Sequence, residues 1–257
     1  MRDANSRDFA LSVDVFISAG MRIGAIAGLA AVLSSCAAGQ RAATVAPNGQ
    51  LEVLGIAARA PGFSPNDLPE NWVFEGSGDV VKTQIAVVEK EGVKALKVMN
   101  SNDGFIVARR TKAMMLATPY LTWAWNMDPH GSGRHPVRVV AGFNGGARND
   151  GSPRSRLGSA LPPHDRALAV IWGESALQRG TLTKPSRGRR AAPLYTIRGG
   201  RENDGTWWLE TVDLSRLYAD VWPDDRQGAV EVVFIGVAAA GGRKPTAAYI
   251  SEIKLSR

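Results

Sequence analysis

The clearest hydrophobic pattern in the chain is an alternation between residues 120 and 127. Its apolar positions are Leu121, Trp123, Trp125 and Met127, and the positions between them are Thr122, Ala124 and Asn126. Successive side chains of a β-strand point to opposite faces of the sheet, so this pattern predicts a strand with one buried face.

Short β-type runs continue along the chain, separated by Gly, Asn, Asp and Pro, which favour turns. We predict strands at residues 80–89, 93–99, 104–110, 120–127, 137–143, 167–173, 194–198, 206–212, 229–237 and 247–255. The first two form a hairpin around Lys90-Glu91-Gly92. The predicted strands are too numerous and too short for alternating β-α units.

The pattern therefore predicts an all-β fold, an antiparallel two-sheet β-sandwich of jelly-roll-like form with at most one or two short helices. The one helix indicated by periodicity is Leu214 to Val221, with Asp213 as its N-cap. Residues 144–165 and 178–190 break the rhythm and are predicted to be long loops. Loops of this length are either functional or disordered, and their composition permits both.

The N-terminal part resembles an export signal. From Met21 to Cys36 a charged start is followed by an apolar or small run that is too short to span a membrane. The segment Leu33-Ser34-Ser35-Cys36 resembles the lipobox of bacterial lipoproteins, which implies that Cys36 is acylated and becomes the mature N-terminus. The alternative is an ordinary secretory signal with a cysteine at its cleavage site by chance.

This interpretation divides the chain into four parts. Residues 1–20 carry three Asp where a signal should be basic, so we interpret them as an over-extended start. Residues 21–35 are the signal peptide, residues 36–60 a flexible tether and residues 61–257 the β-sandwich domain. Ala37, where an Asp would favour the inner membrane, indicates a periplasm-facing protein of the outer membrane.

Charge and cysteine content narrow the partners. The single cysteine excludes an internal disulfide, and the formal charge of +7 remains after processing because the first 35 residues hold three Arg and three Asp. Outside the cytoplasm a basic domain meets phospholipid headgroups and acidic glycans rather than nucleic acid. The candidates for an anionic surface are Lys184, Arg187, Arg189 and Arg190; the alternative is a solvated, mobile loop.

Several segments in order resemble DUF3047, a bacterial family of unknown function. They are residues 68–72, 120–125, 137–143, 167–173, 208–214 with Tyr218, 234–237 and 248–253. The resemblance covers residues 66 to 255 and implies a jelly-roll-like sandwich similar to carbohydrate-binding modules, without an established activity. Gly133-Arg134-His135-Pro136 and residues 238–242 depart from the acidic turns of the family.

Tryptophan and arginine side chains suggest a ligand site, because flat aromatic faces pack on sugar rings and the Arg fork binds carboxylates or hydroxyls. The candidate ligand-binding residues are Arg138, Trp172, Glu174, Trp207 and Trp208. We expect a binding face that carries Arg138 and Trp172, with Glu174 at its edge. The alternatives are core positions for the tryptophans and a structural salt bridge for Arg138.

Catalytic and metal chemistry have little support in the sequence. The spacing of His130, His135 and His164 fits no zinc signature, no Gly-x-Ser-x-Gly elbow occurs, and we predict no metal or cofactor. Carboxylates that could form a glycosidase pair are Glu174, Glu202, Glu210 and Asp213.

Three functions remain open at this point. The first is a lipid-anchored, non-catalytic module that binds an envelope glycan, the second a structural lipoprotein that contacts another envelope protein, and the third a glycan-cleaving enzyme. A fold does not by itself choose among them.

If Cys36 carries the anchor, Cys36→Ser should abolish incorporation of radiolabelled palmitate and move the protein from the membrane to the soluble fraction. Two or three acyl chains bind firmly, because each buried CH₂ contributes about 0.8 kcal/mol. The control is Ser34→Ala, which keeps the cysteine and should stay in the membrane. Equal membrane association of Cys36→Ser would contradict the anchor.

Overall fold

The computed structural model describes residues 41–55, 63–76, 80, 83–147, 159–185 and 191–257. In this part of the chain two sheets of eight and six strands pack face to face, with one α-helix at one end. The predicted all-β, two-sheet sandwich is confirmed.

The strands are β1 (Ala43–Thr44), β2 (Leu51–Leu54), β3 (Trp72–Gly76), β4 (Ile85–Lys90), β5 (Val93–Met99), β6 (Phe105–Met114), β7 (Tyr120–Met127), β8 (Val137–Asn144), β9 (Arg166–Gly173), β10 (Leu182–Thr183), β11 (Leu194–Gly199), β12 (Trp207–Asp213), β13 (Glu231–Ala239) and β14 (Ala247–Ser256). The helix is α1 (Leu214–Val221). The large sheet has the order β1-β6-β13-β8-β9-β11-β10, and β3 also pairs with β6. The small sheet has the order β12-β7-β14-β5-β4, and β2 also pairs with β14.

The core lies between the inner faces of the two sheets. Trp123 and Trp125 of β7 and Trp172 of β9 are each 0% exposed. Their rings meet edge to face, with centroids 5.3 Å and 5.7 Å apart along the series. Such aromatic pairs contribute about 0.5–1.5 kcal/mol beyond their buried area, so this tryptophan layer is a main link between the sheets.

A second apolar cluster covers the outer face of the large sheet. Its members are Val73, Ile106, Ala108, Val140, Leu161, Ala169, Ile171, Phe234 and Ala238, all buried. Residues 159–161 lie over it, because the Glu75 carboxylate accepts hydrogen bonds from the Ser159 hydroxyl and from two backbone N–H groups, and Arg110 donates to the Ala160 carbonyl oxygen at 2.8 Å. This outer face is therefore closed.

Helix α1 begins as the sequence predicts. The Asp213 carboxylate accepts a hydrogen bond from the Arg216 backbone N–H at 3.0 Å, which satisfies a donor at the helix N-terminus. The Tyr218 hydroxyl donates to Asp225 at 2.8 Å, and Arg166 donates to both oxygens of the same carboxylate. None of the helices among the described residues is long and apolar enough to cross a bilayer.

The sandwich starts earlier than the sequence predicts. Strands β1 and β2 fall inside the segment assigned to a flexible tether, and Leu51, Val53 and Leu54 are almost fully buried. That assignment is wrong for residues 43–54, because a four-residue strand is too short to show a period. β10, with two residues, was not predicted for the same reason. β3 was not predicted because it follows a segment rich in turn-forming residues.

Gly142 offers a test of the closed face. A Cβ at Gly142 would lie 1.9 Å from Cε1 of Phe234, which is buried on the neighbouring strand. Overpacking of this kind costs about 1–3 kcal/mol, so Gly142→Ala should lower the free energy of unfolding by that amount in urea titrations. Gly228→Ala is the matched control, because no atom lies within 4 Å of its added Cβ. Equal stability of the two variants would show that Phe234 repacks freely.

Candidate functional site

The outer face of the small sheet is open where that of the large sheet is closed. Leu209 is 69% and Tyr120 is 41% exposed on this side. We call this surface the open face; it consists of Tyr120, Thr122 and Ala124 of β7, Leu209 and Thr211 of β12, and Lys254 and Ser256 of β14. It is the accessible sheet surface of the sandwich and hence the candidate site.

Polar and apolar groups form rows across the open face. Thr211, Thr122 and Lys254 stand side by side in the ladder, and the hydroxyl oxygens of the two threonines are 3.0 Å apart. The next row toward the helix consists of Asp213, Tyr120 and Ser256, with the Tyr120 ring in the middle. A few fixed hydrogen-bonding groups beside apolar and aromatic surface are what a flat polar ligand needs.

The β4–β5 hairpin covers one end of this sheet. Neighbouring strands are about 4.8 Å apart, so β4 and β12 would be about 19 Å apart in a flat sheet. Instead, Nε1 of Trp207 on β12 donates to the Lys90 carbonyl oxygen at 3.4 Å, and Nδ2 of Asn126 lies 3.5 Å from Glu91 Oε2. The hairpin therefore bends across β14 and β7, which leaves the outward-facing Asn126 0% exposed.

The bend of the hairpin is held by its tip. Glu91 and Gly92 have φ of 53° and 76°, as a two-residue type I′ turn requires. Nζ of Lys90 lies 3.6 Å from an Asp128 carboxylate oxygen and 4.9 Å from the centre of the Tyr249 ring. The Tyr249 hydroxyl donates to the same carboxylate at 3.2 Å. These contacts hold the hairpin tip in place beside the open face. We call the tip, residues Lys90 to Gly92, the wall.

Behind this wall lies a buried cluster of titratable side chains. Nε2 of His130 lies 3.0 Å from the Gly133 carbonyl oxygen and carries the proton of that hydrogen bond, while its Nδ1 lies 3.8 Å from Asp204 Oδ2. The His130 and His135 rings meet edge to face at 4.8 Å. The His130–Asp204 contact joins the β7–β8 loop to the β11–β12 turn. Beside it, the Gly205 backbone N–H donates to the Met127 carbonyl oxygen at 2.7 Å.

Burial governs the titration of this cluster. Removal from water lowers the pKa of His135 to about 3, and the neighbouring His130 adds to the effect. Removal from water also raises the pKa of Asp204 above its usual value, against the attraction of His130. His135 is therefore neutral, and its Nδ1 accepts a hydrogen bond from the Val137 N–H at 3.1 Å.

Two of the predicted binding residues are placed differently from our expectation. Trp172 is 0% exposed and lies in the tryptophan layer, so it has no ring face for a ligand. Arg138 lies on the other side of the large sheet, half-buried between Ala238 and Ile171 of the closed face. The predicted face that carries both residues is wrong, because they point to opposite sides of the sheet.

The other three predicted binding residues lie in different places. Trp207 is on the outer side of the small sheet, against the hairpin tip. Trp208 faces inward, with the Arg198 guanidinium 3.7 Å from its ring centre and its Nε1 donating to the Asn203 carbonyl oxygen. Glu174 is exposed and accepts a hydrogen bond from the Gly133 N–H at 3.0 Å. Of the three, Trp207 is the one that borders the open face.

The predicted anionic surface is only partly visible. Arg187, Arg189 and Arg190 lie outside the described residues, so their role stays a prediction. Lys184 has a structural role instead: its ammonium donates to the carbonyl oxygens of Asp220 and Val221 at 2.9 and 3.3 Å. A cation at a helix C-terminus satisfies free carbonyl groups and the helix dipole.

Three of the four carboxylates considered for catalysis have structural partners. Glu210 is buried and accepts from Nε of Arg198 at 2.5 Å, which joins the edges of the two sheets. Asp213 caps α1, and Glu174 holds the β7–β8 loop. Glu202 lies in the β11–β12 turn. Among the described residues, no three His, Cys, Asp or Glu side chains are arranged to hold a metal ion.

The sequence did not indicate the wall or the buried cluster. The tip residues Lys90 and Glu91 are of types common in hairpin turns. Nothing in the sequence of the turn shows that the hairpin bends across the sheet. Asn126 was visible as the one amide in an alternating strand, and this signal placed it correctly on the outward side. The His130–Asp204 contact joins residues from two distant loops, which no local pattern reports.

The pKa of His135 predicts how stability depends on pH. Its folded-state pKa lies below the unfolded value near 6.5, so its contribution is complete above pH 6.5 and is lost as the pH falls toward 3. Asp204 titrates in the opposite sense, and its effect is removed by comparing two proteins that both contain it. Between pH 6 and pH 4, wild type should lose up to about 1.4 kcal/mol per pH unit more than His135→Asn. Parallel urea-unfolding profiles would refute this.

Comparisons with known proteins give low similarity. No family model and no curated protein matches the chain. Among solved structures it is similar to a family 30 carbohydrate-binding module of a cellulosomal cellulase of Clostridium thermocellum, at 9% identity and a TM-score of 0.38 over 72% of this chain and 91% of that one. A family 11 carbohydrate-binding module of the same organism has 8% identity and a TM-score of 0.36, over 82% of this chain and 97% of that one. The K3 cleaved adhesin domain of Lys-gingipain from Porphyromonas gingivalis has 11% identity and a TM-score of 0.35, over 75% of this chain and 95% of that one. Because these TM-scores are low, the architecture is assigned from the strands of this chain alone.

Proposed function

We propose that the protein binds a glycan on the open face and is held in the bacterial envelope by a lipid on Cys36. The observation that carries the glycan proposal is the difference between the two outer faces. One is sealed by its own apolar cluster, and the other exposes aromatic, aliphatic and hydroxyl groups together. Exposed groups of this mixed kind suit a ligand that is both polar and flat.

The chemistry of the open face matches a sugar ring. The Tyr120 side chain, 41% exposed, packs on the C–H face of a pyranose, as aromatic rings pack on other apolar faces. The Thr122 and Thr211 hydroxyls each donate and accept, and the Lys254 ammonium donates to hydroxyl or carboxylate oxygens. The face therefore suits a neutral or acidic glycan.

The anchor part of the proposal sets the location. Cys36 lies outside the described residues, and Arg41 is the first described residue after it. Five residues span at most about 18 Å when fully extended, so a lipid on Cys36 keeps the sandwich close to the bilayer. Envelope glycans are then the polymers within reach of the open face.

Tyr120→Ala should weaken binding of the full chain, purified in detergent, to the polysaccharides of a printed glycan array. Loss of one aromatic contact of about 0.5–1.5 kcal/mol lowers affinity by about twofold to tenfold. Thr122→Val keeps the shape of the side chain but removes a hydroxyl group, and it should weaken binding by a similar factor.

The control is Leu177→Ala. Leu177 is 94% exposed but belongs to the turn after β9 in the large sheet and not to the open face. It should bind like wild type, which shows that loss of exposed apolar surface is not enough. If no envelope polysaccharide binds wild type, or if all three variants bind equally well, the glycan proposal fails and an envelope protein becomes the better candidate partner.

A further inference from the structure

Strand β12 is a free edge of the small sheet. It pairs with β7 over all seven residues from Trp207 to Asp213 without a register shift, and within the described residues no strand pairs with its other side. Thr211 and Leu209 on this strand are exposed. About half of its backbone N–H and C=O groups therefore point toward a position where the described part of the chain places no strand.

The other sheet edges in the described part of the chain are protected. β1 and β10 have two residues each, β2 has four, and β3 has five with Glu75 near its end. β4 is six residues long but ends in Glu89 and Lys90, and the hairpin that contains it bends over the sheet. Short strands, charges and bends are the usual means by which proteins prevent edge-to-edge pairing. β12 is neither short nor bent, and its two carboxylates, Glu210 and Asp213, are both engaged within the chain.

The sequence of β12 favours pairing. Trp-Trp-Leu-Glu-Thr-Val-Asp is rich in aromatic and β-branched residues and contains no Lys, Arg, Pro or Gly. Its central charge, Glu210, faces the interior and is neutralised by Arg198, and Asp213 is used as the cap of α1. The edge thus presents no free charge in its centre that would repel another strand.

We propose that β12 pairs antiparallel with the β12 of a second copy of this chain, so that the two small sheets form one continuous sheet. A two-fold axis perpendicular to the sheet reverses the strand direction, and one edge is then complementary to itself. No other protein needs to supply a matching strand. The exposed Leu209 side chain gains cover from the second copy, and the two open faces become one surface.

A strand pair alone buries less surface than the 1,200–2,000 Å² or so of a standard stable interface. The proposed anchor on Cys36 compensates for this, because two tethered copies meet at a raised local concentration. The pairing is therefore expected in the membrane and weak in dilute solution. This last step rests on the proposed anchor, whereas the strand pairing does not.

Single cysteines test the pairing in intact cells. Thr211→Cys and Leu209→Cys are introduced separately into the full chain, and cells that express it are treated with copper phenanthroline. One antiparallel register brings at most one of these two positions directly opposite itself, so the variant nearer the two-fold axis should give the stronger disulfide-linked dimer on a non-reducing gel. Wild type and Lys112→Cys, which is exposed on β6 near the β1 edge of the large sheet, should give severalfold less. Equal dimer from Lys112→Cys and both β12 variants would overturn the proposal.

A second variant checks that the strand edge causes the cross-link. Leu209→Lys added to Thr211→Cys should reduce the dimer severalfold, because lysine on an edge strand opposes pairing. Its thermal unfolding should stay that of wild type, since residue 209 is exposed. An unchanged dimer band would also overturn the proposal. Failure of the glycan array leaves these results unaffected, so the two proposals fail independently.

Discussion

The structure depends on a layer of tryptophan rings that both sheets share. Trp123 and Trp125 point inward from β7, and Trp172 meets them from β9. Strand side chains alternate, so fixing these rings inward also fixes which residues point outward. Thr122 and Ala124 must lie on one outer face of the sandwich. A slip of one residue in β7 would place two indoles in water, and this penalty holds the register.

The two outer faces then differ in their side chains and in what covers them. On the large sheet, Glu75 and Arg110 hold residues 159–161 over an apolar surface, and this closes it. On the small sheet the hairpin tip reaches only the row of Trp207 and Asn126. The remaining rows stay open to solvent. The location of the candidate site thus follows from two sets of long-range contacts, one for each face.

Buried charges link elements that are distant in the sequence. Arg198 and Glu210 join the edges of the two sheets, and Arg166 holds the Asp225 that receives the Tyr218 hydroxyl. Each charge has a partner of opposite sign or a hydrogen bond, as burial requires. The His130–His135–Asp204 cluster is less completely satisfied. Burial there lowers the pKa of His135 and keeps its ring neutral.

The sequence by itself determined the fold class, strand β7 from Tyr120 to Met127 and helix α1 with its Asp213 cap, because period, capping and turn chemistry are local. It misplaced Trp172, because β9 is apolar on both faces and alternation then cannot say which side is inside. Only the tertiary structure decided which outer face is open, because cover by residues 159–161 and by the hairpin comes from contacts between distant segments.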